Sequence, residues 1–167
     1  LQDISFLIHP GEKVAIVGLN GSGKTTLIKL LLKLYLPERG TIRINGVPIQ
    51  DLQDDEYQYH IGVVFQNFKL FAFSIKENIS FDKELGEVID EYQKIMGVDE
   101  ILKRCPQGWD TILSKEFNTD GTVLSGGESQ KIAFLRALNK NAFLYVLDEP
   151  SAALDPKSEY DINQLTY

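Results

Sequence analysis

The chain has 167 residues, 43% of them apolar and 25% charged, which suits one globular domain with a substantial core. Lysine and arginine number 17 against 24 acidic residues, a net charge of −7. That balance argues against a general nucleic-acid binder, which carries a basic face or stripe. A single cysteine, Cys105, excludes an intramolecular disulfide and a multi-cysteine metal site, and fits a reducing compartment such as the cytosol.

In chain order, the apolar stretches at residues 4–8 and 14–17 read as strands separated by the turn at Pro10-Gly11. The second lacks polar alternation, as expected of a strand buried on both faces. After a glycine-rich loop, residues 25–34 read as a helix that Pro37 and Gly40 stop. Residues 41–44 and 47–49, joined by Asn45-Gly46, predict a hairpin. Residues 61–65 form another apolar strand, ending at Gln66. From about residue 74 to 104 the pattern turns helical and charged. A further helix is expected over residues 125–139, an apolar strand over 143–147, and a last helix starting at Asp155-Pro156. Leu1-Gln2-Asp3 lacks the basic flank of a secretory signal, so none is expected, and the most apolar run, residues 27–36, is interrupted by Lys29 and Lys33. A membrane span needs about 20 apolar residues, so no crossing of a bilayer is expected.

Gly18-Leu19-Asn20-Gly21-Ser22-Gly23-Lys24-Thr25 fits the phosphate-loop pattern G-x-x-x-x-G-K-[ST]. Glycines let successive N–H groups turn inward around phosphate without a Cβ clash. The helix starting near Lys24 adds its unpaired N–H groups and positive dipole end. Lys24 is expected to bridge the β- and γ-phosphates, the Thr25 hydroxyl to bind Mg²⁺, and Thr26 to add a phosphate contact. The competing reading is a glycine-rich turn ahead of an ordinary core helix.

The apolar run 143–147 closes on Asp148 and Glu149. In a parallel α/β sheet ligands sit at the C-terminal strand edge. Asp148 is therefore expected in the Mg²⁺ shell and Glu149 to orient the attacking water. Alone, Asp148-Glu149-Pro150 would be equally consistent with a polar strand exit. The phosphate loop upstream shifts the balance toward catalysis.

Between these motifs lies Leu124-Ser125-Gly126-Gly127-Glu128-Ser129-Gln130, and here the chain resembles the nucleotide-binding domain of ATP-binding cassette (ABC) proteins, exporter-like. The resemblance covers nearly all of it, with Gln66 as the Q-loop, residues 124–128 as the signature, Asp148-Glu149 as Walker B and residues 152–155 as the D-loop. It implies a P-loop NTPase α/β fold with a mostly parallel sheet, N-terminal antiparallel β elements and a helical subdomain over about residues 74–140. It implies MgATP as substrate, with Glu149, Lys24 and Gln66 catalytic and Thr25, Gln66 and Asp148 around the metal. Without the family, Ser125 reads as an N-cap and Gly126-Gly127 as a place of close backbone approach, together a second anion site. The family implies a head-to-tail dimer in which Ser125, Gly126, Gly127 and Glu128 of one subunit cap ATP held by the other. Where the family has Gln, this chain has Glu128. The family's switch histidine is unmatched, since His9 and His60 lie elsewhere, and so is the aromatic that stacks on adenine. A cassette incomplete at both ends, 1–167, is the expectation.

Phe65-Gln66-Asn67-Phe68-Lys69-Leu70-Phe71-Ala72-Phe73, followed by Ile75-Lys76-Glu77-Asn78-Ile79, looks like the exporter branch, where this region receives a short helix of the transmembrane domain. The phenylalanines either make an apolar groove for it or fill the interface between subdomains. Asn118-Thr119-Asp120-Gly121 is similar in position to the exporter loop that senses the membrane domain. The expectation is an ATPase powering export from the cytoplasmic face of a membrane. The alternative is a soluble cassette acting in DNA repair or translation, which should show basic insertions, a coiled-coil break between Gln66 and Ser125, or a second cassette. None is present in the sequence.

Overall fold

The computed structural model describes residues 1–81, 84–114, 121–140 and 142–148. Helix α1, Lys24–Leu31, follows the glycine-rich loop and ends where Lys33 takes a left-handed conformation, φ 56°. That is short of the expected residue 34. Two long-range contacts hold this end: Tyr57 OH donates to Leu31 O at 2.5 Å, and Lys33 Nζ pairs with Asp54 at 2.5 Å. Strands β1, Arg43–Ile44, and β2, Val47–Pro48, form the expected hairpin, with Asn45 and Gly46 both at positive φ as a two-residue primed turn requires.

A short helix α2, Asp54–Tyr59, leads into strand β3, Ile61–Val64. The helical region follows as α3, Ile75–Ser80, α4, Val88–Ile95, and α5, Val98–Arg104. Then come α6, Gly126–Leu138, and strand β4, Leu144–Leu147. β3 and β4 pair in parallel with Ile61 opposite Leu144 and Val64 opposite Leu147. The fold is α/β. Helix α6 packs on β3 and on α3, α4 and α5, so it is buried on most sides, and Ile132 and Leu135 are fully enclosed. Each such side chain contributes about 1.5–3 kcal/mol of apolar transfer free energy. Gly62 permits the close approach of β3 to its neighbours: a Cβ there would lie 2.5 Å from the Tyr145 ring and 2.9 Å from Ala137 O.

Two apolar clusters result. One gathers α3–α6 around Val64, Ile75, Ile89, Ile101 and Ile132. The other joins α1 to the parallel pair through Ile28, Leu32, Tyr57, Ile61 and Val146.

The segments 4–8 and 14–17 differ from expectation. Among the described residues neither joins a ladder, and Val17 is 92% exposed. An apolar run signals burial, but a strand also needs a partner along its edge, and β3 and β4 bond only each other here. The expected helix at Asp155-Pro156 and residues 118–120 and 152–155 lie outside the described residues. Among the described residues no helix is long and apolar enough to cross a membrane.

Candidate functional site

The loop before α1 is shaped by local backbone chemistry. Gly21 and Gly23 adopt φ of 81° and 98°, a region that L side chains rarely enter, and Ser22 N donates to Leu19 O at 3.1 Å. Gly23 caps α1 without a side-chain acceptor, so the first N–H groups of the helix keep their donor capacity at this end. Lys24 arches over the loop, donating from Nζ to Gly18 O at 2.7 Å and Leu19 O at 3.1 Å. Its ammonium therefore lies against the loop that its own helix start encloses.

Above this surface opens a cavity of about 400 Å³ lined by Asn20, Gly21, Gly23, Lys24, Thr25, Thr26 and Gln66. Gln66 arrives there because β3 ends at Val64 on the same edge as β4. Asp148, the residue after β4, donates its N–H to Val64 O at 2.9 Å. The parallel register thus sets Gln66 and Asp148 at one strand edge, with Asp148 outside the cavity lining. Gly18, Leu19 and Ser22 form the loop without lining the cavity. Glu149 lies outside the described residues.

Thr25, Gln66 and Asp148 offer oxygen donors only. Among the described residues no group of three or more His, Cys, Asp or Glu converges. Such a sparse, hard donor set suits a cation that completes its shell with phosphate and water, which is the habit of Mg²⁺.

The expected second anion site, residues 125–128, stands apart, and none of these residues lines the cavity. Ser125 caps α6 through a reciprocal box: its Oγ accepts from Glu128 N at 3.3 Å while Glu128 Oε2 accepts from Ser125 N at 2.9 Å. Glu128 also pairs with Arg104 of α5. Burial pushes the Glu128 carboxyl up, but the Ser125 N–H and the Arg104 guanidinium outweigh it and hold the group below the ordinary carboxylate range. Ser125 and Gly126 are exposed, and a Cβ on Gly126 would meet nothing within 4 Å. The helix start faces open space.

The phenylalanines divide. Phe68 packs against the core, while Phe71, Phe73 and Phe81 stay 45–49% exposed, their ring centroids 6.0 and 5.7 Å apart from Phe71. Three polar residues were given no role of their own by the sequence: Arg104, which meets Glu128, and Asn78 and Arg136, which meet each other. The Ser74-x-x-Glu77 box that starts α3 was a usable signal for Asn78, since it fixes the helix that carries it. An arginine on a helix gives no such signal.

The family model described as ABC transporter matches residues 1–152. The subtilin transport ATP-binding protein SpaT of Bacillus subtilis is 45% identical over 167 residues, covering 95% of this chain and 26% of that protein. An ATP-dependent lipid A-core flippase of Saccharophagus degradans is 42% identical over 164 residues, covering 97% of this chain and 27% of that protein. The chain thus spans about a quarter of these curated relatives. The solved structure of a bacterial Atm1-family ABC exporter with ATP bound matches with a TM-score of 0.83 at 33% identity, covering 98% of this chain and 29% of that one.

Proposed function

The chain belongs to the ABC transporter family, and on that footing we propose that it binds and hydrolyses MgATP to power transport across a membrane, in the direction of export. The observation that carries the reading is the cavity over the start of α1, where Lys24, Thr25, Thr26 and Gln66 meet. Residues 18–26 hold the phosphates through backbone N–H groups, with Lys24 turning from its loop carbonyls to the β- and γ-phosphates. Thr25, Gln66 and Asp148 would hold Mg²⁺, which would supply charge neutralisation for the transferred phosphoryl group. Glu149, next after the strand edge that carries Asp148, orients and deprotonates the attacking water; Gln66 fixes that water from the facing side.

That none of residues 125–128 lines the Lys24 cavity of their own chain supports a paired arrangement. Ser125, Gly126 and Gly127 of one copy face the nucleotide on the phosphate loop of another, head to tail. Glu128 keeps its side chain in the cap. The partner is a second cassette, and the exposed Phe71, Phe73 and Phe81 support contact with a transmembrane domain through residues 66–73. Export is favoured over a soluble role because the flippase relative and the exporter structure match almost the whole chain. The site of work is then the cytoplasmic face of the membrane.

Two variants test this. Lys24→Ala should weaken ATP binding by about 2–5 kcal/mol, the cost of losing a desolvated charge partner. Glu149→Gln should keep ATP affinity and lose turnover by about 100-fold or more, because an amide has the shape but not the basicity. Unchanged affinity in the first, or wild-type turnover in the second, overturns the assignment of that residue.

A further inference from the structure

Glu128 places a carboxylate in the first turn of α6, three residues after Ser125. For the helix this is favourable, since an acid complements the positive end of the dipole and closes the capping box. For a polyanion approaching the same N–H groups it is adverse, because a full negative charge stands beside the donors. The geometry resolves the conflict on the neighbouring helix. Arg104, in the last turn of α5, pairs with Glu128 Oε1 while Oε2 is taken by Ser125 N. The guanidinium is braced from behind, its Nε donating to Glu100 O at 3.2 Å. The Glu100 carboxylate is itself engaged by Lys103 at 2.6 Å, so it does not draw Arg104 away.

We propose that Arg104 is a positioning residue of the nucleotide site: it neutralises the Glu128 carboxylate so that the start of α6 can receive phosphate. The inference rests on the reading of Ser125, Gly126 and Gly127 as the phosphate-facing segment. Stability alone does not account for the pair. The Arg104 side chain is 64% exposed, and ion pairs so open to water contribute little to folding. The Glu128 side chain is only 22% exposed, so its charge, once unpaired, is screened less than that of a free surface acid.

The test is the ATP concentration giving half-maximal turnover, measured in the full-length protein at low ionic strength, with folding checked by thermal midpoint. Arg104→Gln should raise it about fivefold, the scale of one uncompensated charge acting through partly solvated space, with a smaller change in maximal rate. Added salt should narrow the gap. Arg104→Lys should stay within about twofold of wild type, the charge being kept. The double variant Arg104→Gln with Glu128→Gln should return toward wild type, because the amide still closes the cap and the charge is gone. A purely structural pair would show its loss and its rescue in the thermal midpoint instead. An unchanged half-maximal concentration in Arg104→Gln, or a double variant as weak as the single, overturns the proposal. Ser125→Arg separates the two levels. If it abolishes turnover while Arg104→Gln does nothing, only the role of Arg104 fails; if it leaves turnover intact, the phosphate-facing reading itself fails.

Discussion

Arg136 on α6 reaches Asn78 at the heart of α3, donating from Nε to Asn78 O at 2.6 Å and from Nη2 to Asn78 Oδ1 at 3.1 Å. The same guanidinium donates from Nη1 to Lys69 O at 3.0 Å and lies over the rings of Phe71 and Phe81. Asn78, fully buried, completes the arrangement by accepting from Phe71 N and donating to the carbonyls of Phe71, Phe73 and Ser74. Through this pair the helix that Ser125 caps holds the loop that leaves Gln66.

Asn78→Ala should therefore destabilise the fold by about 2–4 kcal/mol, since it strips partners from one buried and several part-buried backbone groups at once. Urea denaturation is the measurement. A loss below about 1 kcal/mol would mean that water or a shifted Arg136 replaces the amide.

Gly62→Ala should cost about 1–3 kcal/mol by overpacking, because its Cβ would fall 2.5 Å from the Tyr145 ring. Removing the ring with Tyr145→Ala should relieve only part of this, since Ala137 O stands 2.9 Å from the same position and is backbone. Complete relief in the double variant, read from denaturation midpoints, would contradict the close helix–strand approach.

The Glu128 carboxyl sits below its usual value of 4.5 in the folded chain. A depressed carboxylate contributes stability that is fully present above the unfolded pKa and is lost as pH falls through the folded one. The thermal-midpoint difference between wild type and Glu128→Gln should thus be steady above about pH 5 and shift toward the variant by about pH 3. A difference equal at both ends would show that the cap and the Arg104 pair do not depend on ionisation.

Lys24→Ala and Ser125→Arg, each inactive alone, should regain ATP turnover when mixed. In a head-to-tail pair one site inherits both lesions, and the other joins an intact phosphate loop to an intact signature. If both motifs served ATP within one chain, mixing would repair nothing. ATP-induced association is the second readout, for the case where turnover needs both sites. Failure of both, with each variant folded, counts against the paired arrangement.

What the sequence determined by itself is what short-range chemistry encodes. The left-handed glycines of the phosphate loop, the Asn45-Gly46 turn and the Ser125/Glu128 box all have their partners within about one turn, so residue type and spacing specify them. Helix α6 was legible almost to its ends for the same reason, with Ser125 and Asn139 as its caps. Strand identity was less so. The runs at 4–8, 14–17, 61–65 and 143–147 look alike in composition, yet among the described residues only the last two found each other, because hydrophobicity reports burial and not the neighbour that supplies the ladder.

Only the tertiary structure decided which distant groups meet. Gln66 reaches the Lys24 cavity through the parallel pairing of β3 with β4, and Arg104 and Arg136 find Glu128 and Asn78 through the packing of α6 on α5 and α3. A long cationic side chain can serve many acceptors with similar energy. Its partner is set by which helices the apolar core brings together, and that information is spread over Ile75, Ile101, Ile132 and their neighbours rather than held in the arginine.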